Sequence, residues 1–389
     1  MEKFCFYLHH FYNKSNGIVI TWEAAHQFSQ LGYDVKVVTY GDERFSTPLP
    51  AKFNGLLDRV YEGDEIVIYP DSVVDNPLHA SKVSRFLLAK PYILDGRQIQ
   101  FAPNDFVFSY SKAVIDKPPY LTLVNPELLE LKEKYAVKKE NQVLLYFGKV
   151  RFGALDIRPL KSLINSFESC RILTRTQPAE VSELYAELAR SSLLISFDPL
   201  TNLCLEATLL DTPVLISDPI FKTQYDDFNF KNHGFFYSPE GYQLAKKDVL
   251  KANQELKTHF SRQPEIVKSL AREMLAHFKS SPNNSNQEFL NYVNSTSKTF
   301  YEDSWNRFPI FNVLNFDFLL VYLAFCDWLN TYLFLRVFYR AIVRPIRWFK
   351  KVFCFASKPK KTGSFLSGKK YSAKTLQEKA CLQLILRKK

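Results

Sequence analysis

The chain has 389 residues, 46% of them apolar and 15% aromatic, with 34 phenylalanines, 21 tyrosines and only 12 glycines. That is apolar surface enough for two cores and an appendage, and it excludes a disordered or collagen-like chain. The net charge of +11 is unevenly placed: from Arg336 onward sixteen Lys or Arg stand against Glu378 alone, +15 on that segment, so residues 1–335 carry −4. A basic character confined to one end implies a partner for that end. Six cysteines (5, 170, 204, 326, 354 and 381) are scattered without a CxxC pair. They read as reduced core cysteines in a cytosolic setting, not as a disulfide frame or a zinc site.

The N-terminus runs straight into a strand, Phe4–His9, without the apolar core and small-residue cleavage site of a signal peptide. The folded part is therefore expected to face the cytoplasm. A polar loop, His10–Asn16, leads to Gly17, which opens a helical pattern over Ile18–Leu31 closed by Gly32; Asp34–Tyr40 then alternates as a second strand. Asp64–Tyr69 reads as a buried strand. Asn76-Pro77 has the form of an N-cap with proline at the first helical position and predicts a helix over Leu78–Ala89, stopped by Lys90-Pro91. Asp105–Tyr110 is a further strand, and this alternation of strand and helix argues a parallel sheet.

Pro126–Gln142, rich in Lys and Glu, reads as a connection with a short exposed helix. Val143–Phe147 opens a second sheet, with Gly148-Lys149 at its carboxyl end and Arg151 just beyond. Ser162–Phe167, the strand Arg171–Arg175 and the helix Ala179–Arg190 follow. Residues 236–290 are expected to be largely helical, with the polar loop Ser280–Gln287 as a boundary.

The stretch SLLISFDPLTNLCLEATLLDTPVLI, ending at Ile216, carries the most information. An apolar run, Leu193–Phe197, ends at Asp198; a helix starting near Thr201–Asn202 carries Glu206; a second strand-like run, Pro213–Ile216, follows. A parallel strand delivers Asp198 to the carboxyl edge of its sheet, where open α/β sheets bind ligands. Thr201 and Asn202 suit an N-cap. The N–H groups and dipole of that helix start can hold a diphosphate without a basic side chain. Glu206 falls about one turn into the helix, on a face able to reach a ribose hydroxyl. An ordinary turn with a capping acid and a surface Glu is the other reading of the spacing.

Asp198 and Glu206 have seven residues between them. With the small-residue helix, Thr-Pro and strand that follow, the segment resembles the E-x7-E motif of nucleotide-sugar-dependent glycosyltransferases of the GT-B fold, Asp standing for the first Glu. The resemblance covers residues 143–218 as motif and roughly 1–290 as architecture. It implies an α/β fold of two Rossmann-like domains facing across a cleft. Residues 1–125 would form the acceptor domain, 126–142 a linker, 143–300 the nucleotide-sugar domain and 301–389 a helical, basic, membrane-associating extension.

The same resemblance implies roles. Asp198 contacts the donor sugar and Glu206 the ribose; Gly148, Lys149 and Arg151 hold the donor diphosphate; Gly17 lets backbone approach the donor phosphates. Arg175 lies where the family contacts the base, and an ion pair with Glu180 is its alternative. The chain shows no DxD motif at a strand end, so cations and helix dipoles would compensate the leaving diphosphate without a metal. His9, at the mouth of the cleft with His10 and Asn13, would orient or deprotonate an acceptor hydroxyl, a structural His at a strand end being the alternative. Asp71 and Asp75 would also point toward the cleft. The implied activity is sugar transfer, with retention, from a nucleotide sugar to a glycan or lipid-linked acceptor in lipopolysaccharide or capsule biosynthesis. No cofactor beyond the donor and no nucleic acid partner is expected. A sugar-nucleotide epimerase on the same fold and a non-catalytic membrane scaffold are the alternatives.

In the C-terminal segment, Phe318–Leu335 is the most apolar stretch, at the lower length limit for a spanning helix. Asp327 and Asn330 lie near its middle, where an acid costs roughly 2.5–3.5 kcal/mol. Arg336, Arg340, Arg344, Arg347 and Lys351 then recur every three to four residues with apolar side chains between them. That is the pattern of a helix lying in an anionic interface, and it predicts a peripheral location on the inner face of the cytoplasmic membrane through residues 304–389. A buried core helix followed by a basic tail is the alternative.

Overall fold

Two stretches of extended, doubly buried backbone organise the chain into two parallel sheets. The computed structural model describes residues 2–57, 60–89, 99, 101–112, 114, 115, 119–125, 128, 138–148, 157–174, 177, 178, 180–198, 201–217, 234–280 and 288–293. The first sheet holds β1 (Lys3–His9), β2 (Asp34–Tyr40), β3 (Ile66–Pro70), β4 (Val83–Leu87) and β5 (Phe106–Ser109), in the order β2-β1-β3-β4-β5. The second holds β6 (Gln142–Tyr146), β7 (Ser169–Leu173), β8 (Leu193–Ser196), β9 (Val214–Ile216) and β10 (Phe235–Phe236), in the order β10-β9-β8-β6-β7. All described pairings are parallel. Strands buried on both faces read as continuous apolar runs, which is why IVIY, VLLY and LLIS carry no alternation.

Helix α1 (Asn16–Gln30) packs its apolar stripe on the first sheet. Trp22, 1% exposed, is its anchor and donates its indole N–H to the His9 carbonyl at 3.0 Å. In the second half, α2 (Lys161–Asn165), α3 (Val181–Arg190), α4 (Leu203–Leu209) and α5 (Tyr242–Ser261) accompany the second sheet. Leu188, Leu205, Leu256 and Phe260 close its core over Leu144, Leu194 and Val214. Beyond α5 the chain turns at Arg262–Gln263–Pro264 into α6 (Gln263–Lys279).

Helix α6 corrects the expected domain boundary. It follows the second sheet in sequence, yet Val267, Leu270, Ala271 and Met274 belong to the core of the first, with Leu290 and Val293. Polar contacts fix the return: Gln27 donates to Gln263 at 3.0 Å, His277 meets the Asn104 carbonyl at 3.0 Å, and Lys279 reaches Glu2 at 2.9 Å. The crossing adds apolar cover to the first sheet.

The helix expected over Leu78–Ala89 is a second correction. The Asn76 side chain accepts from the Ala80 N–H and donates to the Ala80 carbonyl, both at 2.9 Å, and His79 takes φ +52°, so the chain turns instead of winding. Val83–Leu87 then enters the sheet between β3 and β5 as a fully buried strand. A short buried apolar run has no periodicity that separates the two outcomes. The strand expected at Arg171–Arg175 lies two residues earlier, at the sheet edge, where Arg171 bonds Glu187. Residues 126, 127 and 129–137 of the expected connection, and the whole of 301–389, lie outside the described residues. Among the described residues, no helix is long and apolar enough to cross a membrane.

Arg85, 2% exposed on β4, is a buried cation held by Asp105 at 3.3 Å and by the Val73 and Asp75 carbonyls at 2.9 and 3.0 Å. Burial pushes its pKa down, against the pull of Asp105. Asp105→Ala leaves that guanidinium without its counter-ion, at an expected cost of about 3–5 kcal/mol. Urea unfolding should show the midpoint falling with the slope unchanged.

Candidate active site

In an open parallel sheet the ligand crevice opens where successive connections leave in opposite directions. In the second sheet β7 lies on one side of β6 and β8 on the other, so the crevice lies outside the carboxyl ends of β6 and β8. Gly148 and Asp198 each stand two residues past those ends. Phe147 and Phe197, one residue before each, stack with ring centroids 4.9 Å apart and planes 4° from parallel, which aligns the two strand exits. Asp198 is 3% exposed, and its backbone carbonyl accepts from Ser196 Oγ at 3.0 Å.

Gly148 is required here for two reasons. Its φ is +33°, and a Cβ there would fall onto the Asp198 carboxylate Oδ2 and within 2.6 Å of the Tyr146 ring. A side chain would therefore displace the Asp198 carboxylate. Gly17 is different: it lies in helical conformation at the start of α1, where an added Cβ would meet only Leu88 Cδ1, at 3.4 Å.

Helix α4 brings Glu206 into the same cleft, which Asn13, Lys14, Asn16, Gly17, Asp198, Thr201 and Asn202 also line. Thr201 Oγ1 accepts from the Leu203 N–H at 3.2 Å, so Thr201 supplies the side-chain bond to the helix start; Asn202 makes no capping bond with its own side chain. Glu206, 2% exposed, accepts from Asn16 Nδ2 at 2.8 Å and from the Tyr185 hydroxyl at 3.4 Å. Burial pushes its pKa up to about 7, outweighing those two neutral donors. Asn16 belongs to the first lobe, so its bond to Glu206 spans the cleft. The cleft volume is about 160 Å³, below the roughly 300–1,000 Å³ of most ligand pockets. The Asn16–Glu206 bond is one of the contacts across it.

The structure does not bring His9 to this cleft. Its ring lies over Tyr40, with centroids 4.1 Å apart, and against Gly41. Burial, and then the neighbouring His10, lower its pKa. Asp71 is engaged locally, accepting from the Ala89 N–H at 2.7 Å. Lys149, Arg151 and Arg175 lie outside the described residues. Sequence reading missed Asn16 and Tyr185 as partners of Glu206. The only trace of the first is the polar loop before α1, and Tyr185 looks like any aromatic on the buried face of an amphipathic helix.

No protein-family model and no curated protein matches the chain. Among solved structures it is similar to Medicago truncatula UGT71G1 complexed with UDP-glucose, at 11% identity and TM-score 0.40 over 70% of this chain and 98% of that one. It is also similar to an alpha-glucosyltransferase in complex with UDP and a 13-mer DNA, at 11% identity and TM-score 0.36 over 75% of this chain and 99% of that one. T4 phage BGT in complex with UDP and Mn2+ follows, at 10% identity and TM-score 0.32 over 75% and 99%. Likeness at this level carries no argument about chemistry.

A carboxyl group whose pKa is higher folded than unfolded holds its proton longer in the folded state. The contribution of Glu206 to folding stability therefore falls as pH rises from the unfolded value of 4.5 to the folded value of about 7, and is level above it. Glu206→Gln keeps an acceptor for Asn16 and Tyr185 without the charge. Melting profiles of the variant should lack this part of the decline, so that its stability relative to the parent protein grows between pH 5 and pH 7.5 by on the order of 3 kcal/mol at most. A gap that does not change with pH would show that Glu206 titrates normally.

Proposed function

We propose that the chain is a nucleotide-sugar-dependent glycosyltransferase of the GT-B type. The carrying observation is that Asp198 and Glu206, the two acids of the motif, line one cleft at the switch point of the second sheet, and that Gly148 leaves room for the first of them. In the reaction, the bond from the anomeric carbon to the β-phosphate oxygen breaks. A bond to an acceptor hydroxyl oxygen forms, and the hydroxyl proton passes to the departing diphosphate oxygen. Asp198 holds hydroxyls of the sugar at the strand edge. Glu206 accepts from a ribose hydroxyl, which takes the place of Asn16. Charge builds on the departing diphosphate, and Lys14, a cleft residue, supplies compensation with Lys149 and Arg151; Arg175 serves the base. These cations would let the transfer proceed without a metal, and the E-x7-E resemblance implies retention at the anomeric carbon.

The acceptor in this reading is a glycan or lipid-linked glycan of a cell-surface polysaccharide, lipopolysaccharide or capsule. The enzyme would meet it at the inner face of the cytoplasmic membrane through residues 304–389. The support is the charge distribution, +15 from Arg336 onward against −4 before it. A surface that attracts only the tail leaves the cleft-bearing part free to turn over soluble donor.

Transfer and binding assays with a panel of nucleotide sugars test the reading. Glu206→Ala should weaken nucleotide binding by roughly ten- to a hundredfold in calorimetry, as expected for loss of a hydrogen bond to a charged group. Asp198→Ala should lower turnover by about 10²–10³ with a smaller change in nucleotide affinity. Activity should survive EDTA, and a strict need for Mn²⁺ or Mg²⁺ would sink the metal-free site. In flotation assays the full chain should bind vesicles containing anionic lipid more strongly than neutral ones, and added salt should weaken that binding.

A further inference from the structure

Asn202 stands one helical turn before Glu206 and lines the same cleft; its backbone carbonyl accepts from the Glu206 N–H at 3.1 Å. Its side chain is fixed from the other lobe. Tyr110, just past β5, places its hydroxyl 3.0 Å from one terminal atom of the Asn202 amide and 2.7 Å from the Leu123 carbonyl oxygen. The second terminal atom of that amide is buried and has no partner among the described residues.

A proton inventory decides which atom is which. A tyrosine hydroxyl has one proton, and a backbone carbonyl can only accept. The shorter contact, to Leu123, takes that proton. Tyr110 then meets Asn202 as an acceptor, so the amide must turn its NH₂ toward the hydroxyl, an exchange of N and O that leaves the side-chain shape unchanged. The unpartnered atom becomes Oδ1, a carbonyl oxygen. This arrangement gives the hydroxyl and the amide NH₂ a partner each and leaves the amide oxygen waiting, which costs less than a buried NH₂ with no partner at all.

Resting on the glycosyltransferase reading, we infer that Asn202 is a specificity-determining residue whose Oδ1 accepts a hydrogen bond from a hydroxyl of the transferred sugar, and that Tyr110 is the positioning residue that sets the amide. An oxygen presented at this point repels a phosphate oxygen and favours a neutral hydroxyl. It assigns the start of α4 to the sugar, and the diphosphate to the cations of the cleft.

The test is calorimetry on the full chain with three probe pairs: UDP and UDP-glucose, ADP and ADP-glucose, GDP and GDP-mannose. The quantity read is the ratio of the nucleotide Kd to the nucleotide-sugar Kd, for the pair that the unaltered protein binds. Asn202→Ala should lower that ratio roughly three- to tenfold, the value of one neutral hydrogen bond, with the plain nucleotide Kd unchanged. Tyr110→Phe preserves the packing and frees the amide, so it should lower the ratio with the nucleotide Kd unchanged, and it carries the test where Asn202→Ala fails to fold. Equal weakening of nucleotide and nucleotide sugar by Asn202→Ala, or no change in Tyr110→Phe, overturns the sugar-hydroxyl role alone. Failure of the unaltered protein to bind any probe overturns the transferase reading, and this one with it.

Discussion

A carboxyl group removed from water among neutral neighbours is the constraint around which the described molecule is arranged. Glu206 has no solvent to stabilise its charge, and the donors that reach it, Asn16 and Tyr185, are uncharged. The acid and its two donors come from three separated segments: α4 carries the acid, α3 brings Tyr185, and the first turn of α1 brings Asn16. The bond therefore exists only when both lobes are folded and facing. It also keeps the cleft small, because the partner of the acid is the opposite wall. A ligand hydroxyl can replace an amide N–H at such an acid with little loss, which makes the contact exchangeable.

The second sheet supplies the rigid side of the cleft. Two adjacent parallel strands leave the sheet with their last apolar residues stacked, and the polar groups that follow are aligned by that stacking. Gly148 is the point where one exit makes space for the carboxylate of the other. Precision of this kind arises in the sheet and not in a loop, since the strand ends are held by ladder hydrogen bonds and by a core closed on both faces.

The two lobes are also joined away from the cleft. Helix α6 returns to the first sheet, and Gln263, at its start, bonds both Gln27 and the Thr122 carbonyl. Exchange of the Asn16–Glu206 bond would then be a movement about a tethered pair. The tether lies at the break between α5 and α6, where proline follows Gln263 and interrupts the helix.

Much of this was legible in the residues because the relevant information is local. Runs buried on both faces mark β1, β6 and β8, and alternation marks β2, within a residue or two, and the spacing of Asp198 and Glu206 follows from one strand, one turn and one helix. Charge is additive along the chain, so the separation of a basic end from an acidic body needs no fold. What sequence could not decide is every feature resting on a partner distant in the chain. Val83–Leu87 is a strand because β3 and β5 flank it, although the residues before it resemble a helix start. His9 turned out to face Tyr40 because the side chains of neighbouring strands, and not position at a strand end, choose its surroundings. Asn16 and Tyr110 hold Glu206 and Asn202 across 190 and 92 positions of sequence. Hydrogen bonds have no range in sequence, only in space, and tertiary structure alone brought those groups within 3 Å or so of each other.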